Sequence, residues 1–77
     1  MGDVPPCSSK KMIRALKKVG LVVVPSAGKG SHVKMMDPVS GHATTIPSAR
    51  ELSRVREGIV NWAAKHGYSK KKIIGLL

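Results

Sequence analysis

The fold is decided by residues 31–47, which read SHVKMMDPVSGHATTIP. The central run from Asp37 to Gly41 combines aspartate, proline, serine and glycine, which are the residues that tight turns favour. We therefore predict a strand over 31–37, a turn, and a strand over 42–46 that Pro47 ends. Strands joined by so short a connection pair antiparallel, so this stretch predicts a hairpin.

A further strand is predicted over residues 21–24, where the run LVVV is bounded by Pro25. Together the three strands form an antiparallel meander. In the strand over 31–37 the period of two places alternate side chains on opposite faces. One face carries His32, Lys34 and Met36, and the other carries Val33 and Met35.

Helical patterns lie on both sides of the meander. Ser8 or Ser9 caps a first helix that runs to about Val19 and stops at Gly20. Its apolar stripe predicts burial against the sheet, while its other positions are crowded with lysine and arginine.

The region after the sheet predicts two more helices. Gly58 interrupts a helical pattern, so we expect the main helix to begin there and to span about 58–66 before Gly67. Ser69 caps a short helix over 70–77. The fold class is α+β: helix, three-stranded antiparallel sheet, helix, short C-terminal helix.

The candidate core is aliphatic, because Trp62 and Tyr68 are the only aromatic residues. Residues 1–7 contain a Pro-Pro pair and are predicted to be a disordered leader, which leaves 8–77 as a single domain. The periodic apolar positions predict one core, formed by Met12, Leu16, Val23, Ile59 and Trp62.

Charge points to a polyanionic partner. Fourteen lysines and arginines face four acidic residues, for a net charge of +10 in 77 residues. Such an imbalance fits nucleic acid, an acidic protein or an anionic membrane surface, although a role in solubility alone is the simpler alternative.

Several classes of protein are disfavoured by the sequence. The longest apolar run, residues 21–24, is far shorter than a membrane-spanning helix, and no secretory signal is visible. Cys7 has no partner for an intramolecular disulfide, which favours a reducing cytoplasm. The three histidines are scattered and no carboxylates cluster, so we expect no metal and no cofactor.

The motif at residues 28–32, GKGSH, mounts one imidazole where a glycine loop enters a strand. The glycines allow close approach of a ligand, and Lys29 adds a positive charge. Imidazole titrates near pH 6.5, so His32 has the chemistry of a general acid or base at neutral pH. An ordinary half-exposed histidine is the alternative, and His42 and His66 are expected to be surface residues.

These features resemble the HicA-type (YcfA-like) mRNA interferase toxins of toxin–antitoxin pairs. The helix 11–21, KMIRALKKVGL, is similar to the family's opening helix, with Leu21 in place of the usual Phe. Gly30-Ser31-His32 matches its glycine-serine-histidine signature. Residues 45–47 and 62–69 are similar to the end of its third strand and to its closing helix.

The resemblance implies a fold like that of the double-stranded-RNA-binding domain and a metal-independent ribonuclease that acts on mRNA. His32 would then be the catalytic residue. It also implies a tight acidic HicB-type antitoxin as partner, and we expect the chain alone to be a monomer. The RNA-binding candidates are Lys29, Gly30, Ser31, Lys34 and Arg50.

One position departs from the family pattern. Many members carry a second histidine two residues after the proline that follows the third strand, and here that residue is Ala49. A non-catalytic RNA-binding module of the same fold is therefore the main alternative. A helix-turn-helix DNA-binding protein is a weaker one, because it would not contain three strands.

Overall fold

The computed structural model describes residues 4–24 and 32–77. In order along the chain, the elements are α1 (Ser9–Val19), β1 (Val22–Val23), β2 (Val33–Met36), β3 (Ala43–Ile46), α2 (Val55–Lys65) and α3 (Lys70–Leu76). The predicted α+β order of helix, three strands and two helices is confirmed.

The three strands form one antiparallel sheet in the order β1-β2-β3. Val33 pairs with Ile46 at one end of the hairpin, and Met36 pairs with Ala43 at the other. Met35 and Ile46 are fully buried under the helices, whereas Lys34 is exposed on the opposite face. The predicted alternation of β2 is therefore confirmed.

The helix ends follow local capping chemistry. The Ser8 side chain accepts a hydrogen bond from the Lys11 N–H, and the Ser69 side chain accepts one from the Lys72 N–H. Gly20 ends α1 with a φ of 124°, a backbone conformation that favours glycine. Capping serines and a terminal glycine thus fix the bounds of α1 and the start of α3.

The core lies between the sheet and the helices, and Met12, Leu16 and Ile59 are buried in it as predicted. The prediction that Val23 belongs to it is wrong, since Val23 is 37% exposed. The reason is that β1 is a two-residue edge strand, and Leu21 just before it supplies the buried side chain. Trp62 is half-buried and packs against the core from its edge.

The main helix begins at Val55, so the predicted start at Gly58 is wrong. Arg56 explains the difference, because its guanidinium donates to the carbonyls of Leu52 and Ser53 at 3.1 and 3.0 Å. These bonds anchor the first turn, and they outweigh the cost of about 1 kcal/mol that a helical glycine carries.

The prediction of a disordered leader over 1–7 does not hold for residues 4–7. Val4 and Cys7 are only 2% and 5% exposed. The Leu52 N–H donates to the Cys7 carbonyl at 2.7 Å, and Arg56 Nε donates to the Val4 carbonyl at 3.0 Å. Burial of Val4 and Cys7, together with these two hydrogen bonds, therefore holds residues 4–7 against the domain, although the Pro-Pro pair within them suggested disorder.

Candidate nucleic-acid interface

His32 lies immediately before β2 and is exposed. Because Val33 pairs with Ile46, the antiparallel register sets His32 opposite Pro47, one residue beyond the last pair. The candidate site is therefore the end of the sheet at which β2 begins and β3 ends.

A buried serine fixes the chain that leaves β3 at this end. The Ser9 hydroxyl donates to the Pro47 carbonyl at 2.6 Å and accepts from the Ala49 N–H at 2.6 Å. The Ser9 N–H in turn donates to the Ala49 carbonyl at 3.0 Å. These bonds hold the first turn of α1 against residues 47–49, so two segments forty residues apart in sequence share one side of the site.

Ala49 therefore has a fixed backbone but offers only a methyl side chain. It is half-buried and packs against the core. The position at which many family members carry a second histidine thus supplies no proton donor or acceptor here. His32 is the one histidine that the described chain places at this end of the sheet.

Two of the predicted RNA-binding residues flank this end. Lys34 is exposed on the same face of β2 to which the alternation assigns His32, and Arg50 is exposed beyond Ala49. Arg50 also borders an open groove that α1 and the segment after β3 form together. The groove is lined by Ser8, Ser9, Lys10, Ser48, Ala49 and Arg50.

The other three predicted RNA-binding residues, Lys29, Gly30 and Ser31, lie outside the described residues. Among residues 4–24 and 32–77, the only acid–base pair within 4 Å joins His66 to Asp37. No described lysine or arginine is therefore neutralised by a carboxylate at that distance. Lys34 and Arg50 thus have no ion-pair partner among the described residues and can meet an anion.

A second polar cluster lies at the opposite end of the hairpin, and the sequence did not reveal it. Asp37 is 3% exposed and accepts hydrogen bonds from the Val39 N–H, the Ser40 hydroxyl and the Tyr68 hydroxyl. The Tyr68 bond is the shortest, at 2.6 Å. It lowers the pKa of the Asp37 carboxyl most, ahead of the Val39 N–H, while burial acts in the opposite direction. The same bond raises the pKa of Tyr68.

His66 completes this cluster and is not the surface residue that the sequence predicts. Its side chain is 18% exposed and lies 3.9 Å from the Asp37 carboxylate. Its ring packs at 4.7 Å from Trp62 and at 5.0 Å from His42, measured between ring centroids. His42 itself is exposed, as predicted. We call Asp37, His42, Trp62, His66 and Tyr68 the Asp37 cluster.

The described residues contain no group of three histidine, cysteine or acidic side chains arranged to hold a metal ion. Within the same part of the chain, no helix combines the length and apolar character that crossing a bilayer requires.

The fold and the basic site define a small α+β protein of the double-stranded-RNA-binding-domain type, with a histidine at the edge of its sheet. Over residues 9–56 the chain matches the family described as HicA toxin of bacterial toxin–antitoxin. The match spans more than half of the chain and includes His32 and Arg50. No curated protein and no solved structure matches the chain.

The chain therefore belongs to the HicA toxin family. Membership makes it a toxin of a toxin–antitoxin system, with an antitoxin as its partner. The matched residues run from α1 through the sheet to the first turn of α2. The rest of α2 and all of α3 lie beyond the match.

Proposed function

We propose that this toxin is a metal-independent endoribonuclease that cleaves mRNA, with His32 as its general acid and base. The observation that carries the proposal is the exposed His32 imidazole at an end of the sheet where Lys34 and Arg50 are also exposed and no described carboxylate neutralises them. Membership of the HicA toxin family supports RNA as the substrate.

The neutral imidazole of His32 takes the proton from a ribose 2′-hydroxyl. The 2′-oxygen then attacks the adjacent phosphorus, and the bond from phosphorus to the 5′-oxygen breaks. The protonated imidazole of His32 gives its proton to the leaving 5′-oxygen and returns to the neutral form, and the products carry a 2′,3′-cyclic phosphate and a free 5′-hydroxyl. No metal is needed, because the 2′-hydroxyl is an internal nucleophile held next to the phosphate.

Charge develops on the phosphoryl oxygens during this step, and cations near His32 stabilise it. We assign this role to Lys34 and Arg50, both of which are exposed; the alternation of β2 supports the first, and the position of Arg50 just after residues 47–49 supports the second. Lys29, Gly30 and Ser31 are assigned to phosphate binding by their position in the sequence motif, through the ammonium group and backbone N–H groups.

A second candidate function follows from Ala49. If cleavage needs a second imidazole at that position, the chain is a degenerate toxin that binds RNA without cutting it. The fixed backbone of Ala49 and its half-buried methyl group support this alternative, because no neighbouring side chain takes its place through a described contact.

The test is cleavage of a labelled single-stranded RNA by the parent protein and by His32→Ala. The substitution should lower the rate by about 10²–10⁴ and leave most of the RNA affinity intact, because affinity comes from many cations. Cleavage should persist in EDTA and should give cyclic phosphate ends.

His42→Ala is the matched control, since it removes an exposed imidazole from the other end of the hairpin. It should cut as fast as the parent protein. Equal rates for His32→Ala and the parent would exclude the catalytic role of His32. A parent protein that binds RNA but cuts none would favour the degenerate toxin.

We propose that the partner is an acidic HicB-type antitoxin, which binds in the cytoplasm and covers the His32 end of the sheet. We also propose that the toxin is a monomer when it is alone. A surface of net charge +10 favours fast association with a protein of opposite charge. Co-purification from the native host should recover such a protein in stoichiometric amount, and it should block RNA cleavage. Its repeated absence would contradict this proposal.

A further inference from the structure

The outer face of α1 carries a row of cations that the proposed chemistry does not use. Of its 11 residues, five are basic and none is acidic. All five basic side chains are exposed: Lys10, Lys11, Arg14, Lys17 and Lys18. The opposite face of α1 holds Met12 and Leu16 in the core, so the helix is fixed in place with its cations facing outward.

Three of these residues, Lys10, Arg14 and Lys17, are spaced by four and three positions and therefore lie in one line along the helix. We call them the α1 ridge. At a rise of 1.5 Å per residue the ridge is about 10 Å long, with steps of about 6 and about 4.5 Å. These steps are comparable to the distance between neighbouring phosphates of a nucleic-acid strand.

The ridge leads to the candidate site. Lys10, at its start, also lines the groove that Ser48, Ala49 and Arg50 border. Ala49 is held to α1 by Ser9, and Pro47 beside it lies opposite His32 in the register of the sheet. A strand that follows the ridge toward the start of α1 thus arrives at the groove, next to the segment that lies opposite His32 in the sheet register.

We propose that the α1 ridge binds the phosphate backbone of single-stranded RNA and leads that strand to His32. This inference rests on the proposed function and adds a substrate-binding surface to it. Each lysine or arginine contacts a phosphate and displaces a counterion, so the ridge supplies affinity that does not depend on base sequence.

The composition of the ridge favours RNA over a protein partner. Protein interfaces are enriched in aromatic residues and depleted of lysine at their centres. The face of α1 that carries the ridge has no aromatic residue, and its neighbour Ile13 is already half-buried. An acidic protein would find five exposed cations on this helix and no aromatic side chain to pack against.

The test uses two triple variants in the His32→Ala background, so that the RNA stays intact. One is Lys10→Gln/Arg14→Gln/Lys17→Gln. The other, the matched control, is Lys65→Gln/Lys71→Gln/Lys72→Gln, which removes three exposed cations from α2 and α3. Both variants lose the same charge, and glutamine preserves helix propensity.

The measurement is binding of a short labelled single-stranded RNA over a series of salt concentrations. Loss of three phosphate contacts should lower the slope of log affinity against log salt by about 2, because each contact contributes about 0.7. At 0.1 M salt this corresponds to roughly a hundredfold weaker binding. The control should keep most of the parent's slope.

Equal losses in the two triple variants, or an unchanged slope in the ridge variant, would overturn the proposal. So would a ridge variant that binds RNA normally but no longer binds the acidic partner. A charge-conserving variant, Lys10→Arg/Arg14→Lys/Lys17→Arg, should retain the slope, and its failure would show that unfolding rather than charge causes the loss. Because the readout is binding rather than cleavage, the result also holds for a degenerate toxin that cuts no RNA.

Discussion

The two ends of the β2–β3 hairpin both carry histidine, but their surroundings are opposite. At the His32 end the imidazole is exposed, and the exposed Lys34 and Arg50 have no carboxylate partner in the part of the chain that the structure describes. At the Asp37 end, His66 is half-buried between Trp62 and His42, beside a carboxylate that accepts three hydrogen bonds. Among residues 4–24 and 32–77, Lys34 and Arg50 at one end lack ion-pair partners, whereas Asp37 at the other end accepts three hydrogen bonds.

This difference indicates which end of the hairpin is available to a ligand and which end stabilises the fold. Groups that already have partners inside the protein stabilise the fold and have little left for a ligand. The Asp37 cluster joins the β2–β3 turn to the connection between α2 and α3, through the bond from Tyr68 to Asp37. Substitutions there should change stability, whereas substitutions at the His32 end should change RNA chemistry.

Asp37→Ala should have the largest effect on stability. It removes the acceptor of three hydrogen bonds and leaves the Tyr68 hydroxyl and the Val39 N–H without their partner. We expect the Tm to fall by roughly 10 °C, and thermal unfolding followed by circular dichroism measures it.

Two variants provide the controls for Asp37→Ala. Asp37→Asn keeps an acceptor for the turn and should lower the Tm less. His32→Ala should change the unfolding free energy by less than about 0.5 kcal/mol, because the side chain is exposed and the described contacts do not use it. A large loss of stability in His32→Ala would abolish the proposed distinction between the two ends.

Gly20→Ala should have the next largest effect. The backbone at Gly20 has a φ of 124°, and a Cβ there would lie 3.3 Å from the Cε1 atom of the Tyr68 ring. The strain should cost about 1 kcal/mol, or a decrease of about 4–8 °C in Tm. Gly58→Ala, in an open position within α2, is the control and should be stabilising or neutral. Equal Tm values for Gly20→Ala and the parent would show that Tyr68 moves away freely.

Tyr68→Phe should have the smallest effect, about 3–5 °C at pH 7, because it removes one hydroxyl. Its signature is the dependence on pH. The lowered pKa of Asp37 stabilises the fold above about pH 4, the unfolded value, and this contribution is lost as the pH falls through the lower folded pKa. Tyr68 supplies the largest part of that lowering.

The Tm difference between the parent and Tyr68→Phe should therefore shrink as the pH falls below about 4. Melting curves collected from pH 2 to pH 7, a span of about five units around the ordinary carboxyl pKa, measure it. A difference that stays constant over this range would mean that the bond from Tyr68 does not depend on the charge of Asp37.

Much of the fold was predictable because it depends on local patterns. Serine caps, Gly20, the turn at 37–41 and the alternation of β2 set the elements and the antiparallel order. The errors came from side-chain contacts and strand lengths that these patterns do not encode, such as the bonds from Arg56 to Leu52 and Ser53 and the two-residue length of β1. The packing of residues 4–7 depends in part on a distant contact, because Arg56 reaches the Val4 carbonyl fifty-two residues away.

The candidate site was predictable only in part. The glycine-serine-histidine motif indicated His32, and the register then placed it opposite Pro47. The bonds of Ser9 to residues 47 and 49 could not be predicted, since nothing near a helix-capping serine signals a partner forty residues away. The Asp37 cluster was missed for the same reason, because Tyr68 and His66 reach it from another element.

Because Trp62 packs against His66, the intrinsic tryptophan fluorescence of the protein reports on the Asp37 cluster. Trp62 is the only tryptophan in the sequence, and its ring lies 4.7 Å from the His66 ring, in the Asp37 cluster. The wavelength of its emission maximum therefore depends on how tightly the Asp37 cluster is packed. RNA bound at the His32 end should leave the emission maximum unchanged, whereas loosening of the Asp37 cluster should shift it to longer wavelength. One fluorescence spectrum can thus distinguish a ligand from an unfolding event without any label.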